Sequence, residues 1–322
     1  MLNAQVLSPW NYEQIQGAIS QSGTMLMYHD MKSSGMREEQ FAVFAAEALE
    51  CNSRNLDEDT LQCLQEEHID ILNDKLSLTV NDFALDKKAP PFEWRPVIDN
   101  YASNPFLPLH PVKAMMTGTF NRIPFITGTV KNEGALMLGV LKRQGWTLEK
   151  ITEDWTSLGP PLLLTSPSKE NFTLEEKLFA NMTFKYYDHP EATEGVAADK
   201  PLMDLFGDAT FISPDQKTVE FNCRYVENTF NYHFVQQTDH SFIGKIFKMG
   251  REYSPIHGDE VSYLMNVRET NPSFDAPDSS LSKHMIKYWT NFAKFGHPSP
   301  SSQDLPYWSP VTEEEKVNIF DY

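Results

Sequence analysis

Basic charge is scarce in this chain. Its 322 residues carry 27 Lys and Arg against 45 Asp and Glu, a formal net charge of −18. No basic patch with interleaved aromatics relieves that balance, which excludes a nucleic-acid partner. Long apolar runs are also missing. None approaches the ~18 residues a transmembrane helix needs, so no membrane span is encoded. Cysteine is limited to three residues, and neither C-x-x-C nor H-E-x-x-H occurs, so no metal and no cofactor is expected. The opening residues MLNAQVLSPW have no basic segment and no apolar stretch of the kind a signal peptide requires.

What is present reads as a soluble globular chain: 40% hydrophobic, 12% aromatic and 22% charged residues, with no repeat, low-complexity tract or linker. Length allows one large domain or two ordinary ones; with no clear linker, residues 1–322 are taken as one unit. Cys51 and Cys63 bracket the polar segment NSRNLDEDTLQ, where a local disulfide would contribute roughly 3 kcal/mol on a loop-entropy argument. Cys223 is left over, either buried as a thiol or parted from a partner outside this chain. Two N-x-[ST] sequons, at Asn171 and Asn181, fall in one polar stretch that tolerates glycans. With the cysteines, they point to a secreted protein whose start lies upstream.

Periodicity places a helix end over 1–9, stopped at Ser8-Pro9, and a turn at Gln21 to Thr24. Helices are expected over Arg37–Leu49, Asp59–Ile71, Val112–Met116, Thr218–Tyr225 and Leu281–Phe295, the last closed by Gly296. Residues 123–130 form a β-branched apolar run of the kind buried in parallel sheets, and Thr229–Val235 is a second strand. Residues 145–200 read as a polar helical excursion over the sheet. Phe206–Phe211 reads as a loop, and LPYWSP and VNIFDY as short edge strands. Helices alternating with apolar strands give the α/β class.

Two residues carry the chemistry. His257 lies in the Pro/Gly-bounded loop Ser254-Pro255-Ile256-His257-Gly258, followed by Asp259 and Glu260 at what reads as a helix start. Imidazole titrates near neutrality and is the usual general base. A lone loop histidine is more often a surface or structural group. Glu133, however, sits three residues past the strand 123–130, where open α/β sheets gather chemistry. Acid before histidine is also the chain order of an α/β-hydrolase triad. The nucleophile is absent: none of the 15 glycines is followed two positions later by serine, so G-x-S-x-G does not occur. Ser20-Gln21-Ser22-Gly23 lacks the leading glycine.

Eight blocks then match one family in order: LSP at 7–9, GAISQSG at 17–23, PVIDNYASNPFLP at 96–108, GTVKNEG at 128–134, FGDATF at 206–211, HGDEV at 257–261, WTNFAKFGHPSP at 289–300 and PYWSP at 306–310. The sequence resembles the C-terminal portion of a type-B carboxylesterase, the family that includes the cholinesterases. The resemblance implies an α/β-hydrolase fold without its N-terminal central strands, a small carboxylic ester as substrate, and no cofactor. It makes Glu133 the triad acid and His257 the base. Ser22 becomes a supporting partner near the acid, and Phe92 and Trp94 become acyl-pocket walls. Cys51 and Cys63 match a local family disulfide. The serine elbow would fall about five residues before Met1, so this chain alone is expected to be inactive. Ala135-Leu136-Met137 stands where cholinesterases carry ammonium-binding aromatics, which disfavours choline esters. Some cholinesterase-like proteins are adhesion molecules that lost the triad; retention of Glu133 and His257 weighs against that alternative.

Overall fold

The structure is a computed structural model that describes residues 2–27, 43, 45–47, 49–52, 54–71, 96–143, 145–153, 155–164, 173–190, 194–265, 276–300, 305–312 and 318–320. Four parallel strands order the molecule: β1 (Ala18–Gln21), β2 (Phe125–Val130), β3 (Thr229–Phe234) and β4 (Asn318–Phe320), side by side in that sequence. Ala18 pairs with Phe125, Phe125 with Thr229, and Tyr232 with Asn318. Parallel neighbours cannot be joined by a hairpin, so every step between strands crosses over through helices.

Between β1 and β2 lie α2 (Glu58–Glu66) and α3 (Pro111–Met116), and α1 (Leu2–Leu7) precedes both. The long crossover from β2 to β3 carries α4 (Ala135–Arg143), α5 (Leu148–Glu153), α6 (Trp155–Leu164), α7 (Leu174–Tyr187), α8 (Gly195–Gly207) and α9 (Ser213–Cys223). After β3 come α10 (Phe242–Phe247) and α11 (Ala276–Phe295). Local chemistry sets many of these ends. Asp57 caps α2 by accepting from Thr60 N at 3.0 Å, and Thr173 and Glu176 form a reciprocal capping box on α7. Pro111 occupies the first turn of α3, where its missing N–H costs nothing. Gly296 takes φ +67° just past α11, and its N–H closes on Phe292 O at 2.8 Å.

The strands alternate faces. Ile126, Val130, Phe230, Tyr232 and Phe234 meet Leu281, Met285, Tyr288 and Phe292 of α11, with Trp308 completing the layer. Each large side chain so buried stabilises the fold by roughly 1.5–3 kcal/mol. Ala18 and Phe125 instead join α1 and α3, while α4, α6 and α8 build a third cluster around Leu138, Trp155 and Phe206.

Three local expectations change. Phe206–Phe211 is not a loop: α8 passes through a π-helical turn over Asp208–Ile212 straight into α9. Its glycine and acid suggest a break, but close packing of Gly207 on Gly134 holds the segment helical. LPYWSP forms no strand among the described residues, while Asn318–Phe320 does. The turn after His257 is a short 3-10 helix, Asp259–Tyr263. The Arg37–Leu49 helix lies largely outside the described residues, which hold helix at 45–47.

Candidate active site

Two strand ends and one crossover assemble the site. β2 ends at Val130, and the chain turns through Lys131-Asn132-Glu133-Gly134 into α4. Asn132 ties this turn to the histidine loop. Its N–H donates to Pro255 O at 3.1 Å, and its side-chain amide donates to Tyr253 O at 2.8 Å. The two segments also pair as an isolated parallel bridge, Asn132 with Ile256. Adjacent residues Glu133 and His257 are thereby set side by side.

Glu133 is fully buried, with 0% exposure. One carboxylate oxygen accepts from Val130 N at 2.9 Å, and the other lies 2.7 Å from His257 Nδ1. A carboxylate held by a backbone amide on one oxygen can orient an imidazole with the other and fix its tautomer. That leaves Nε2 as the ring nitrogen not engaged by Glu133. The His257 ring retains 28% exposure and leans on Phe211, ring centroids 4.6 Å apart. Burial pulls the imidazole pKa down, but the hydrogen bond and charge of Glu133, with Glu260 and Asp259 adding, lift it above its ordinary 6.5.

Close backbone approach makes the acid's position possible. A Cβ on Gly134 would come within 1.9 Å of Met203 O and 2.5 Å of Gly207 N, so α8 can pack directly on the turn only over glycine. Behind the histidine, Gly258 takes φ +82°, a conformation that suits glycine, and the chain turns at once into the 3-10 helix. Asp259 braces that turn: its Oδ2 accepts from Ile256 N at 2.8 Å and Ser254 Oγ at 2.9 Å. Burial raises the Asp259 pKa, and those hydrogen bonds hold it back.

Two further acids sit beneath the site. Glu260 has 0% exposure; Gln21 Nε2 and the Tyr232 hydroxyl reach its Oε1 only at 3.3 and 3.4 Å, and Oε2 finds no hydrogen-bond partner among the described residues. Burial, and then the neighbouring Glu133 charge, push its pKa up to about 7. Asp215, on the first turn of α9, accepts from Thr127 Oγ1 of β2 and from Asn231 Nδ2 of β3 at 2.7 Å. Its burial likewise lifts it to about 7. Sequence reading passed over Glu260 and Asp215 as roles of their own. The signal available was a polar residue, Thr127 or Asn231, at a core-facing position of a strand.

The remaining candidates fall as follows. Ser22 is buried at the end of β1 with φ +49°; its N–H extends the sheet to Gly128 O at 2.9 Å. Among the described residues its hydroxyl makes no hydrogen bond to Glu133 or to any other group. Phe92, Trp94 and Asn171 lie outside the described residues. Asn181 is half-buried on α7. Cys51 and Cys63 form a disulfide across 12 residues, and Cys223 sits half-buried at the end of α9 with its thiol toward Glu220 O at 3.4 Å. Among the described residues, no cluster of three or more His, Cys, Asp or Glu could hold a metal ion. No helix among them is long and apolar enough to cross a membrane.

Known proteins carry the same sequence pattern. Juvenile hormone esterase of Tribolium castaneum is 26% identical, over 99% of this chain and 55% of its own length. Liver carboxylesterase of Sus scrofa is 28% identical, over 96% and 52%. Bile salt-activated lipase of Bos taurus is 28% identical, over 98% and 50%. The chain thus spans about half the length of the curated relatives it matches. The sequence pattern of the Carboxylesterase family matches residues 1–321, and with the parallel α/β architecture this establishes that the chain belongs to the carboxylesterase family.

Proposed function

We propose that this chain supplies the acid and the base of a serine carboxylesterase, with Glu133 and His257 as two members of a Ser-Glu-His triad. The observation that carries the reading is the 2.7 Å contact between a fully buried Glu133 carboxylate and His257 Nδ1 at the carboxyl end of β2. In that role His257 Nε2 takes the proton of the serine hydroxyl as it attacks the ester carbonyl. It then returns the proton to the departing alcohol, leaving an acyl-enzyme. A water molecule, deprotonated by the same nitrogen, releases the acid. Glu133 keeps the tautomer and stabilises the imidazolium.

The serine and the oxyanion donors have no counterpart in the motifs of residues 1–322, and we place them upstream of Met1 in the same α/β-hydrolase domain. Each missing oxyanion donor is worth roughly 10²–10³ in rate, so residues 1–322 alone hydrolyse no ester above background. Ala135 and Met137 are buried aliphatic groups on the first turn of α4, which favours general carboxylic esters over choline esters. We assign Ser22 a supporting place beneath the acid, Phe92 and Trp94 the acyl pocket, and Asn171 and Asn181 glycans of a secreted protein.

The upstream coding sequence, read in frame, is expected to encode G-x-S-x-G close before Met1. The longer product should hydrolyse a p-nitrophenyl ester and lose that activity in His257→Ala. No such motif upstream, or hydrolysis by residues 1–322 alone that His257→Ala abolishes, would contradict the assignment of the nucleophile.

A further inference from the structure

The segment that delivers His257 has little regular structure of its own. A 3-10 turn over Arg251–Tyr253 leads through Ser254-Pro255-Ile256 to the histidine. Tyr253 closes that turn and is held at both ends. Its carbonyl accepts from Asn132 Nδ2 at 2.8 Å, beside Glu133. Its phenol donates to Asp199 Oδ2 on α8 at 2.6 Å, across 54 residues of chain. The same carboxylate oxygen pairs with Lys142 Nζ from the last turn of α4.

Asp199 is only 3% exposed, whereas the Lys142 side chain keeps 38% of its surface in solvent. A carboxylate so buried needs partners that offset its lost hydration. Burial, then the hydrogen bond to Asp199 and its charge, raise the Tyr253 pKa above its ordinary 10, so the phenol stays a donor through the neutral range. A buried ion pair is weak as a source of stability, since apolar groups of similar volume often serve as well, and its better attested use is to fix one arrangement. Here the contacts close a ring around the site. Glu133 leads through Gly134 into α4, which ends on Lys142. Lys142 meets Asp199, Asp199 meets Tyr253, and Tyr253 returns through Asn132 to the acid. α8 meets the ring a second time where Met203 and Gly207 lie against Gly134.

We infer that Asp199 is a positioning residue for the histidine: through the Tyr253 phenol it fixes the loop so that His257 Nδ1 stays on Glu133. It acts at one remove, from a helix that contributes neither member of the pair. This inference rests on the Glu133–His257 pair of the proposed function and adds to it the residue that holds the base in place.

Proton NMR of the full chain in water tests it. A proton held between an imidazole and a carboxylate is strongly deshielded, so the native chain should show a low-field Nδ1–H signal that Glu133→Gln abolishes. Tyr253→Phe removes only the hydroxyl that reaches Asp199. The signal should weaken, and its exchange with water should quicken about 10-fold or more, the factor for one charge-assisted hydrogen bond. Asp199→Ala should do the same. Asp199→Asn, whose amide oxygen still accepts from the phenol, should do so less. Lys142→Met keeps the phenol bond, so it should lower the melting temperature yet leave the signal in place. The inference is overturned, with the triad reading intact, if Tyr253→Phe leaves the signal unmoved whatever it does to the melting temperature. It is overturned in the same way if Lys142→Met disturbs the signal as much as Tyr253→Phe does. A native chain without the Glu133-dependent signal overturns both.

Discussion

The carboxyl ends of β2 and β3 and the outer face of α7 depart from ordinary burial in opposite directions. At the first, Glu133, Asp215, Asp259 and Glu260 are all buried. At the second, five large apolar side chains stand in water. Hydrogen bonds hold three of these carboxyls: Val130 N and His257 for Glu133, Thr127 and Asn231 for Asp215, and Ile256 N and Ser254 on one oxygen of Asp259, whose other oxygen has no partner among the described residues. Glu260 is held only loosely, and burial pushes both it and Asp215 up to about 7. The apolar face of α7 is left exposed among the described residues. The contrast separates acids held by the chain's own packing from apolar side chains left facing solvent.

The largest effect should come from tightening the first region. Gly134→Ala pushes a methyl against Met203 O and Gly207 N, backbone atoms that cannot turn aside. The loss should be about 3 kcal/mol or more in urea unfolding, since overpacking against backbone forces α8 off the turn. A loss under about 1 kcal/mol would mean that α8 and the acid turn are not in direct contact.

A middle effect tests the loosely held acid. The Glu260 carboxyl titrates near 7 in the folded protein against an ordinary 4.5. Between those values the unfolded chain has released a proton that the folded chain retains, so stability falls as pH rises. Asp215 acts with the same sign, rising from 3.8 to about 7. Glu260→Gln keeps an acceptor for Gln21 and Tyr232 and removes the charge. The stability–pH curve should flatten over that window by up to about 1.4 kcal/mol per pH unit. An unchanged slope would show that Glu260 ionises freely. The smallest effect belongs to α7: Leu178→Gln should alter folding stability by less than about 0.5 kcal/mol, as for a solvent-facing position. A loss of several kcal/mol would mean that the face is covered within the chain.

Much of the framework is legible in the residues themselves. Residues 123–130 announce a parallel strand because both faces are covered, and all six residues of β2 are indeed buried. Met285, Ile286, Trp289, Phe292 and Phe295 announce α11 by their spacing, although Ile286 and Phe295 stand exposed and Tyr288 is buried in the layer. The Cys51–Cys63 disulfide also forms. The proximity of Glu133 to His257 is not local: 124 residues separate them, and the bridge of Asn132 to Ile256 that joins them follows no periodic pattern. Gly207 reads as a helix break because its purpose, contact with Gly134, lies across the fold. Glu260 reads as a first-turn acid because burial by Tyr232 and Gln21 is tertiary.

The central claim is that a buried Glu133 carboxylate governs the His257 imidazole. An NMR titration of labelled His257, in the native chain and in Glu133→Gln, tests it most directly. The account predicts a native pKa above 6.5 and a fall in the variant, because burial, which lowers it, is outweighed by the hydrogen bond and charge of Glu133 with Glu260 and Asp259 adding. A native value below 6.5, or one that Glu133→Gln leaves in place, would contradict it.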